Sequence, residues 1–493
     1  MLPLAIIATV LFGCNSEHVA NKEEITLDPF LPLNQAGQTP PTYKNRIVFD
    51  NVNVITMNEQ EQILTDQRVV VANNKIIAIG NKTTIELGDA EQVIDGKNGY
   101  LLPGFIDSHM HITHEGSGNP NIQTFTDPAQ MSIYLQQGVT TIRSYSGTPY
   151  NLEWRDKVDS GQWLGTRIVT SGPIFSHYQE LEDAATAAGI KVDDIAESFL
   201  AKLYSTYPKD PAAAITEVSR QKQSGYNFLK VYSQLPQPIY LSVVEQAKAE
   251  NLFLAGHIPD APLDIVFEHQ QEIAHILELM EHYASFNGSW DEYQQWVISA
   301  LLKNDISIIF NWSTDEVNME MFQGVDVYSR KGYWVIPDMI LANWYNKPAN
   351  EITPQQHERA KTFVKALVDS GVVVQVGSDT SDAGSLPEFI HRDMELMVEA
   401  GVSPYQALLA STRNPANIIA KITKQAKDRG EVTVGYFADL VLVKENPLDN
   451  ISHTRNHHGV MVNGHWLTEK ELTNMVSHFI TLPVTPLLVE LKE

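Results

Sequence analysis

The sequence predicts a parallel α/β barrel of the (β/α)8 TIM type, accompanied by a small β-sandwich domain built from both terminal segments. Three observations carry that prediction. Eight short apolar, β-branched runs alternate with helix-length stretches through the middle of the chain. Runs of the same kind stand near both ends, Arg46-Ile47-Val48-Phe49 and Arg68-Val69-Val70-Val71 on one side, Tyr436 to Val443 and Gly459 to Gly464 on the other. Finally, 493 residues with 43% hydrophobic content are enough for a large core and a smaller one.

Leu2 to Cys14 is an apolar run too short to cross a bilayer but suited to a secretory h-region. Its Leu-x-Gly-Cys ending before the polar Asn15-Ser16-Glu17 resembles a bacterial lipoprotein signal, although the usual positive n-region is missing. That resemblance implies a signal peptide over 1–14, lipidation of Cys14, and attachment by lipid alone on the periplasmic side of the bacterial cell envelope. An ordinary hydrophobic N-terminus is the alternative. Cys14 is the only cysteine, so neither an intrachain disulfide nor a thiolate metal ligand is available to the folded domain.

Residues 15–45 carry Asn, Gln, Pro and Thr without periodicity and read as a flexible tether. Segments 46–102 and 430–470 make the composite β domain, with antiparallel pairing expected from short runs separated by turn residues. The barrel occupies 103–429, and 471–493 is a C-terminal extension. Its strands are expected at Phe105 to His111, Val139 to Ser144, Arg167 to Gly172, Phe228 to Tyr232, Leu252 to His257, Glu272 to Leu277, Ile306 to Trp312 and Val372 to Asp379. The long insertion from Tyr178 to Ser224 and the segment from Phe286 to Ala300 are candidate lids.

With 35 lysines and arginines against 60 acidic residues, a formal charge of −25 repels nucleic acid and anionic membrane surfaces. No Walker loop, His-Glu-x-x-His helix, Gly-x-Ser-x-Gly elbow or dinucleotide glycine motif is apparent, so phosphate and nicotinamide chemistry lack support. A small-molecule substrate remains, and a homo-oligomer stays open.

The chemistry concentrates at strand ends. His109 and His111 are two residues apart on one strand, so their side chains share a face and can grip one metal ion. Lys230, His257, His275 and Asp379 end other strands or lie just beyond them, and such barrels gather reactive groups at the C-terminal rim. Arg143, His177 and Tyr232 sit on strand ends or βα loops, where they either touch substrate or pack the rim. The segment His391 to Leu396 has helical spacing and is expected to pack outside the mouth, while His457-His458 reads as a solvated turn.

Pro103 to His111, Gly138 to Arg143, Phe228 to Tyr232, Gly256-His257, Ala274-His275, Gly377 to Thr380, Gly401 to Thr412 and Gly435 to Val441, in that order, resemble the amidohydrolase superfamily. The likeness runs from about Arg46 to about Leu467. It implies a binuclear centre, commonly zinc, with His109 and His111 on one metal, His257 and His275 on the other, and a carbamylated Lys230 bridging them. A free ammonium only donates, whereas its carbamate offers two anionic oxygens. Asp379 is then a metal ligand and the acid/base that moves a proton to the leaving nitrogen. The pattern looks most like the prolidase-related and imidazolonepropionase-related groups, so either a dipeptidase or a cyclic-amide hydrolase follows, both cleaving a C–N bond. The reading of another class is a non-catalytic envelope barrel that only binds a ligand.

Overall fold

In the computed structural model, the described residues are 46–312 and 354–481, apart from position 89, 113–130, most of 180–204, and 382–388. Cys14, the tether, part of the first candidate lid and the last twelve positions lie outside the described residues. No helix among those described is long and apolar enough to cross a membrane.

The described residues open with β1 (Arg46–Ile55), β2 (Ile63–Ala72), β3 (Lys75–Gly80), β4 (Gln92–Asp95) and β5 (Tyr100–Pro103). Pairing of β1 with β2 and β2 with β3 is antiparallel, but β4 and β5 both run parallel to β1, correcting the all-antiparallel expectation. The cause is local. Asn51 adopts a left-handed φ of 56° and the register shifts there, so the first half of β1 pairs with β4 and the second half with β5.

The barrel strands follow as β6 (Phe105–His111), β7 (Val139–Ser144), β8 (Arg167–Thr170), β9 (Ile174–Phe175), β10 (Ser205–Thr206), β11 (Phe228–Val231), β12 (Phe253–Gly256), β13 (Glu272–Ile273), β14 (Ser307–Phe310), β15 (Val374–Val376) and β16 (Thr380–Ser381). All eight expected strands are present, and each is parallel to its neighbour in chain order. A parallel bridge from Ser171 to Phe228 links β8 to β11, with the short β9 and β10 beyond. At the far side β16 pairs with β6, and Asp379 N donates to His109 O at 2.6 Å. This is the α/β arrangement of a TIM-type fold.

Helices between the strands are α1 (Met131–Gln136), α2 (Pro149–Asp159), α3 (Pro211–Ser224), α4 (Gln237–Ala249), α5 (Leu263–His269), α6 (Ile276–His282), α7 (Trp290–Lys303) and α8 (Pro354–Asp369), then α9 (Phe389–Glu399), α10 (Pro404–Ala410) and α11 (Arg413–Thr423). Their ends are written in the sequence. Asp210 caps α3 by accepting from Ala213 N at 2.8 Å with Pro211 in the first turn, and Gly225 at φ 92° ends it. Ser289 and Glu292 form a capping box on α7, which buries Tyr293, Val297 and Leu301. The second candidate lid is therefore a packed barrel helix. Expected strand Glu272 to Leu277 likewise stops early, because Ile276, Leu279 and Met280 bury a helical face on α6.

The chain returns to the first sheet with β17 (Leu440–Val443), β18 (His457–Val462) and β19 (His465–Thr468), and α12 (Glu469–Thr481) is the last described element. Strand β17 pairs antiparallel with β5, Leu440 opposite Pro103, giving the order β19-β18-β17-β5-β1-β2-β3 with β4 beside β1. One continuous eight-stranded sheet thus stands where a sandwich was expected, with Phe49, Val54, Val71, Leu101, Leu440 and Met461 buried together on it. His457 opens β18 and is buried, its Nε2 2.7 Å from Gln136 O, so it is no solvated turn.

His391 on α9 is buried against the edge of Phe105, ring centroids 5.5 Å apart, between Thr454 Oγ1 at 2.9 Å and Gln137 O at 3.0 Å. Burial, assisted by the Arg455 charge, lowers its pKa from 6.5 to about 3. The unfolded chain therefore takes up this proton first as pH falls, and stability present above pH 6.5 drains away between 6.5 and about 3. Such an imidazole contributes about 1.4 kcal/mol per pH unit in that window. Denaturant titrations at pH 7 and pH 4.5 are expected to show a shallower loss in His391→Gln than in the wild-type protein.

Candidate metal centre

Each strand delivers its side chain for a local reason. His109 and His111 alternate along β6 with Met110, which is buried in the outer core. Lys230 lies within β11 and is 1% exposed. Gly256, at φ 137°, precedes His257, and a Cβ there would lie 2.3 Å from Val231 O, so only glycine lets the chain turn this histidine inward. His275 is the N-cap residue of α6. Asp379 follows β15 with a left-handed φ of 46°, a conformation aspartate tolerates better than most residues.

The turn carrying Asp379 is locked to β6. Buried Asp107 accepts from Ser378 Oγ at 2.5 Å, Ser378 N at 3.0 Å and His109 N at 3.1 Å. Burial raises its carboxyl to about 6 despite these donors. The six expected residues stand in one cluster. Asp379 Oδ1 lies 3.2 Å from both His109 Nε2 and His111 Nε2, and Oδ2 lies 4.0 Å from His275 Nδ1. Lys230 Nζ is 3.3 Å from His109 Nε2. The ring centroids of His257 and His275 are 4.3 Å apart, those of His109 and His275 4.9 Å.

Two overlapping donor groups have the spacing a metal needs, with ligand atoms within 4.8 Å of one another. One is His109, His275 and Asp379; the other is His257, His275 and Glu278. Imidazole and carboxylate donors suit zinc and similar divalent ions. His275 Nε2 is buried with no hydrogen-bond partner among the described residues, an unsatisfied polar atom at the centre of the cluster. The residues present therefore fit a divalent metal ion.

A profile of the Amidohydrolase family matches residues 100–467. The chain belongs to the amidohydrolase family. A curated relative, the 5-methylthioadenosine/S-adenosylhomocysteine deaminase of Bacillus thuringiensis (strain Al Hakam), is 30% identical over 67 residues, covering 14% of this chain and 15% of the deaminase. Solved structures share the fold over most of the chain. Molinate hydrolase superposes with a TM-score of 0.66 at 18% identity, covering 91% of this amidohydrolase and 98% of that chain. A prolidase complexed with N-methylphosphonate-L-proline superposes at 0.64 and 17% identity, covering 86% and 100%.

In this amidohydrolase burial decides the protonation of the cluster. It holds His109 and His257 well below the ordinary histidine range and brings His275 to about 3, so all three imidazoles are neutral and able to donate a lone pair. Burial also lowers Lys230 to about 8. For Asp379 burial acts in the opposite direction, but the neighbouring His109 and the hydrogen bond from His111 outweigh it and keep the carboxylate ionised.

Of the expected substrate residues, Tyr232 is half-buried with its ring edge-on to His257 at 4.4 Å, and His177 is half-buried two positions beyond β9. Arg143 is a correction. It is 0% exposed and points into the barrel, where it pairs with both oxygens of Glu272 and bonds Gln375 Oε1 at 3.0 Å and Tyr145 Oη at 2.7 Å. Ser307 Oγ and Gln375 Nε2 also donate to Glu272. This polar layer underlies the centre, since the Tyr145 ring lies 4.1 Å from that of His109 and 4.7 Å below Lys230 Nζ. Glu278, tied to His257, had no signal in the sequence: one glutamate in the first turn of an amphipathic helix looks like any other.

Proposed function

We propose that this amidohydrolase cleaves an amide or peptide C–N bond in a small substrate, in the manner of a prolidase-like dipeptidase, with two divalent ions, zinc first among candidates. The observation that carries the reading is the convergence of His109, His111, Lys230, His257, His275 and Asp379 at the C-terminal ends of parallel strands. His109 and His111 would hold one ion, His257 and His275 the other, and Lys230 would bridge them as its carbamate, since the unmodified amine sits among imidazoles with no lone pair to spare when charged. When bound, such ions supply acidified water as a nucleophile at neutral pH and polarise the scissile carbonyl.

The remaining work falls to the protein. Asp379 Oδ1, facing His109 and His111, accepts the proton released by the attacking water and returns it to the leaving nitrogen. Tyr232, beside His257, is placed to orient the substrate. The Leu-x-Gly-Cys run supports an envelope location through lipidation at Cys14.

Protein purified without chelator is expected to carry about two equivalents of divalent metal and to hydrolyse members of a panel of dipeptides, N-acyl amino acids and cyclic imides. Lys230→Ala is expected to lose metal and activity and to recover part of both with short carboxylic acids. Turnover of no panel member, or full activity in the metal-stripped protein, counts against the proposal.

A further inference from the structure

We propose that Glu278 is a positioning residue that locks His257 in the tautomer with hydrogen on Nδ1 and aims Nε2 at the metal centre. The inference rests on the metal-hydrolase reading and concerns a residue that neither the strand pattern nor the family motifs single out. Its basis is a closed set of contacts. Glu278 Oε1 pairs with His257 Nδ1, while Oε2 accepts from Ile258 N at 2.7 Å. With Glu278 acting as an acceptor at both oxygens, as its bond from Ile258 N has it, Nδ1 is the donor and the single lone pair of the ring is left on Nε2. Because the second oxygen is held by the backbone immediately after His257, the carboxylate cannot swing away without breaking two bonds to the same loop.

The rest of the histidine is fixed as well. Its carbonyl accepts from buried Gln270 Nε2 at 3.1 Å, and its ring is walled by Tyr232 at 4.4 Å and His275 at 4.3 Å. Glu278 is unlike the partners of the other imidazoles. His111 Nδ1 faces the neutral Ser146 Oγ at 2.8 Å and His275 Nδ1 faces the neutral Asn311 amide at 2.7 Å. Among the described imidazoles of the cluster, only His257 has a carboxylate within hydrogen-bond distance of Nδ1, the nearest to His275 Nδ1 being Asp379 at 4.0 Å, and that contact orients the ring and makes its other nitrogen a stronger donor. Asp379 serves the opposite end of the cluster, against His109 and His111. Each end of the imidazole row thus has its own carboxylate, one facing into the centre and one behind it.

Two measurements on the folded full-length protein test this. The first is the histidine ring 15N spectrum of the metal-free protein, with His257 assigned by its loss in His257→Gln. An Nδ1–H signature in the wild type that is lost or mixed in Glu278→Ala and retained in Glu278→Gln is expected. The second is zinc affinity against a chromophoric chelator, with cobalt absorption as a report on coordination. Glu278→Ala should weaken binding about 10–100-fold, Glu278→Gln should recover most of that loss through its amide oxygen, and neither should change the cobalt coordination number. An Nε2–H tautomer in the wild type, unchanged zinc affinity in Glu278→Ala, or a lost cobalt ligand in Glu278→Gln overturns the positioning role, the last because Glu278 would itself be a ligand. A wild-type protein with the expected tautomer but no metal uptake instead overturns the function proposed above.

Discussion

Asp379→Asn is expected to reduce turnover by about 10²–10⁴-fold, the usual contribution of a positioned acid/base. The substitution isolates proton transfer from architecture. Asp379 sits at a φ of 46°, and asparagine is among the few residues that occupy the left-handed region easily, so the turn should persist. Its main-chain nitrogen, 2.6 Å from His109 O, is untouched, and so are the Ser378 contacts that hold the turn to Asp107. What disappears is the ionised oxygen facing His109 and His111. Comparison of kcat, metal content and circular dichroism in the two proteins checks the expectation. A variant that keeps its metal and hydrolyses at the wild-type rate removes Asp379 from the proton path.

Arg143→Ala is expected to cost about 3–5 kcal/mol of folding stability, because it strands the charge of Glu272 where no water reaches it. Both side chains are 0% exposed, and the guanidinium holds both carboxylate oxygens. Neutralising the acid should undo much of the damage. Denaturant titration of Arg143→Met with Glu272→Gln is expected to recover at least half of the loss, since a neutral amide is far cheaper to bury than an unpaired anion. Were Arg143 a substrate contact, its truncation would raise KM and leave stability near that of the wild type.

The contrast between Arg143 and His109 explains what the sequence makes legible. Strand periodicity places alternate residues on one face, so His109 with His111, and the strand endings at Lys230 and His257, can be located without coordinates. Position along the barrel axis is harder to read. Arg143 stands one residue before the end of β7, yet its long stem folds back into the interior toward Glu272. Nothing local distinguishes that from a guanidinium reaching for substrate. The apolar neighbours of His275 read as a strand running past it, but the burial of Ile276, Leu279 and Met280 starts a helix at Ile276 and makes His275 its N-cap. Glu278 gains meaning only from His257, a neighbour on a different strand connection. The parallel pairing of β4 and β5 with β1 escaped for a similar reason, since it depends on a left-handed kink at Asn51 that shifts the register halfway along the strand.

The pairing of Leu440 with Pro103 has a consequence for biosynthesis. When the ribosome has released the first five strands, β5 has one flank bare, and its natural neighbour will not be translated until the whole catalytic body has followed. During that interval an apolar strand edge is open to any passing chain, a recognised route to clumping. Completion of the nascent molecule therefore waits on its own tail, and premature termination upstream of Leu440 would leave a sticky fragment rather than a smaller working enzyme.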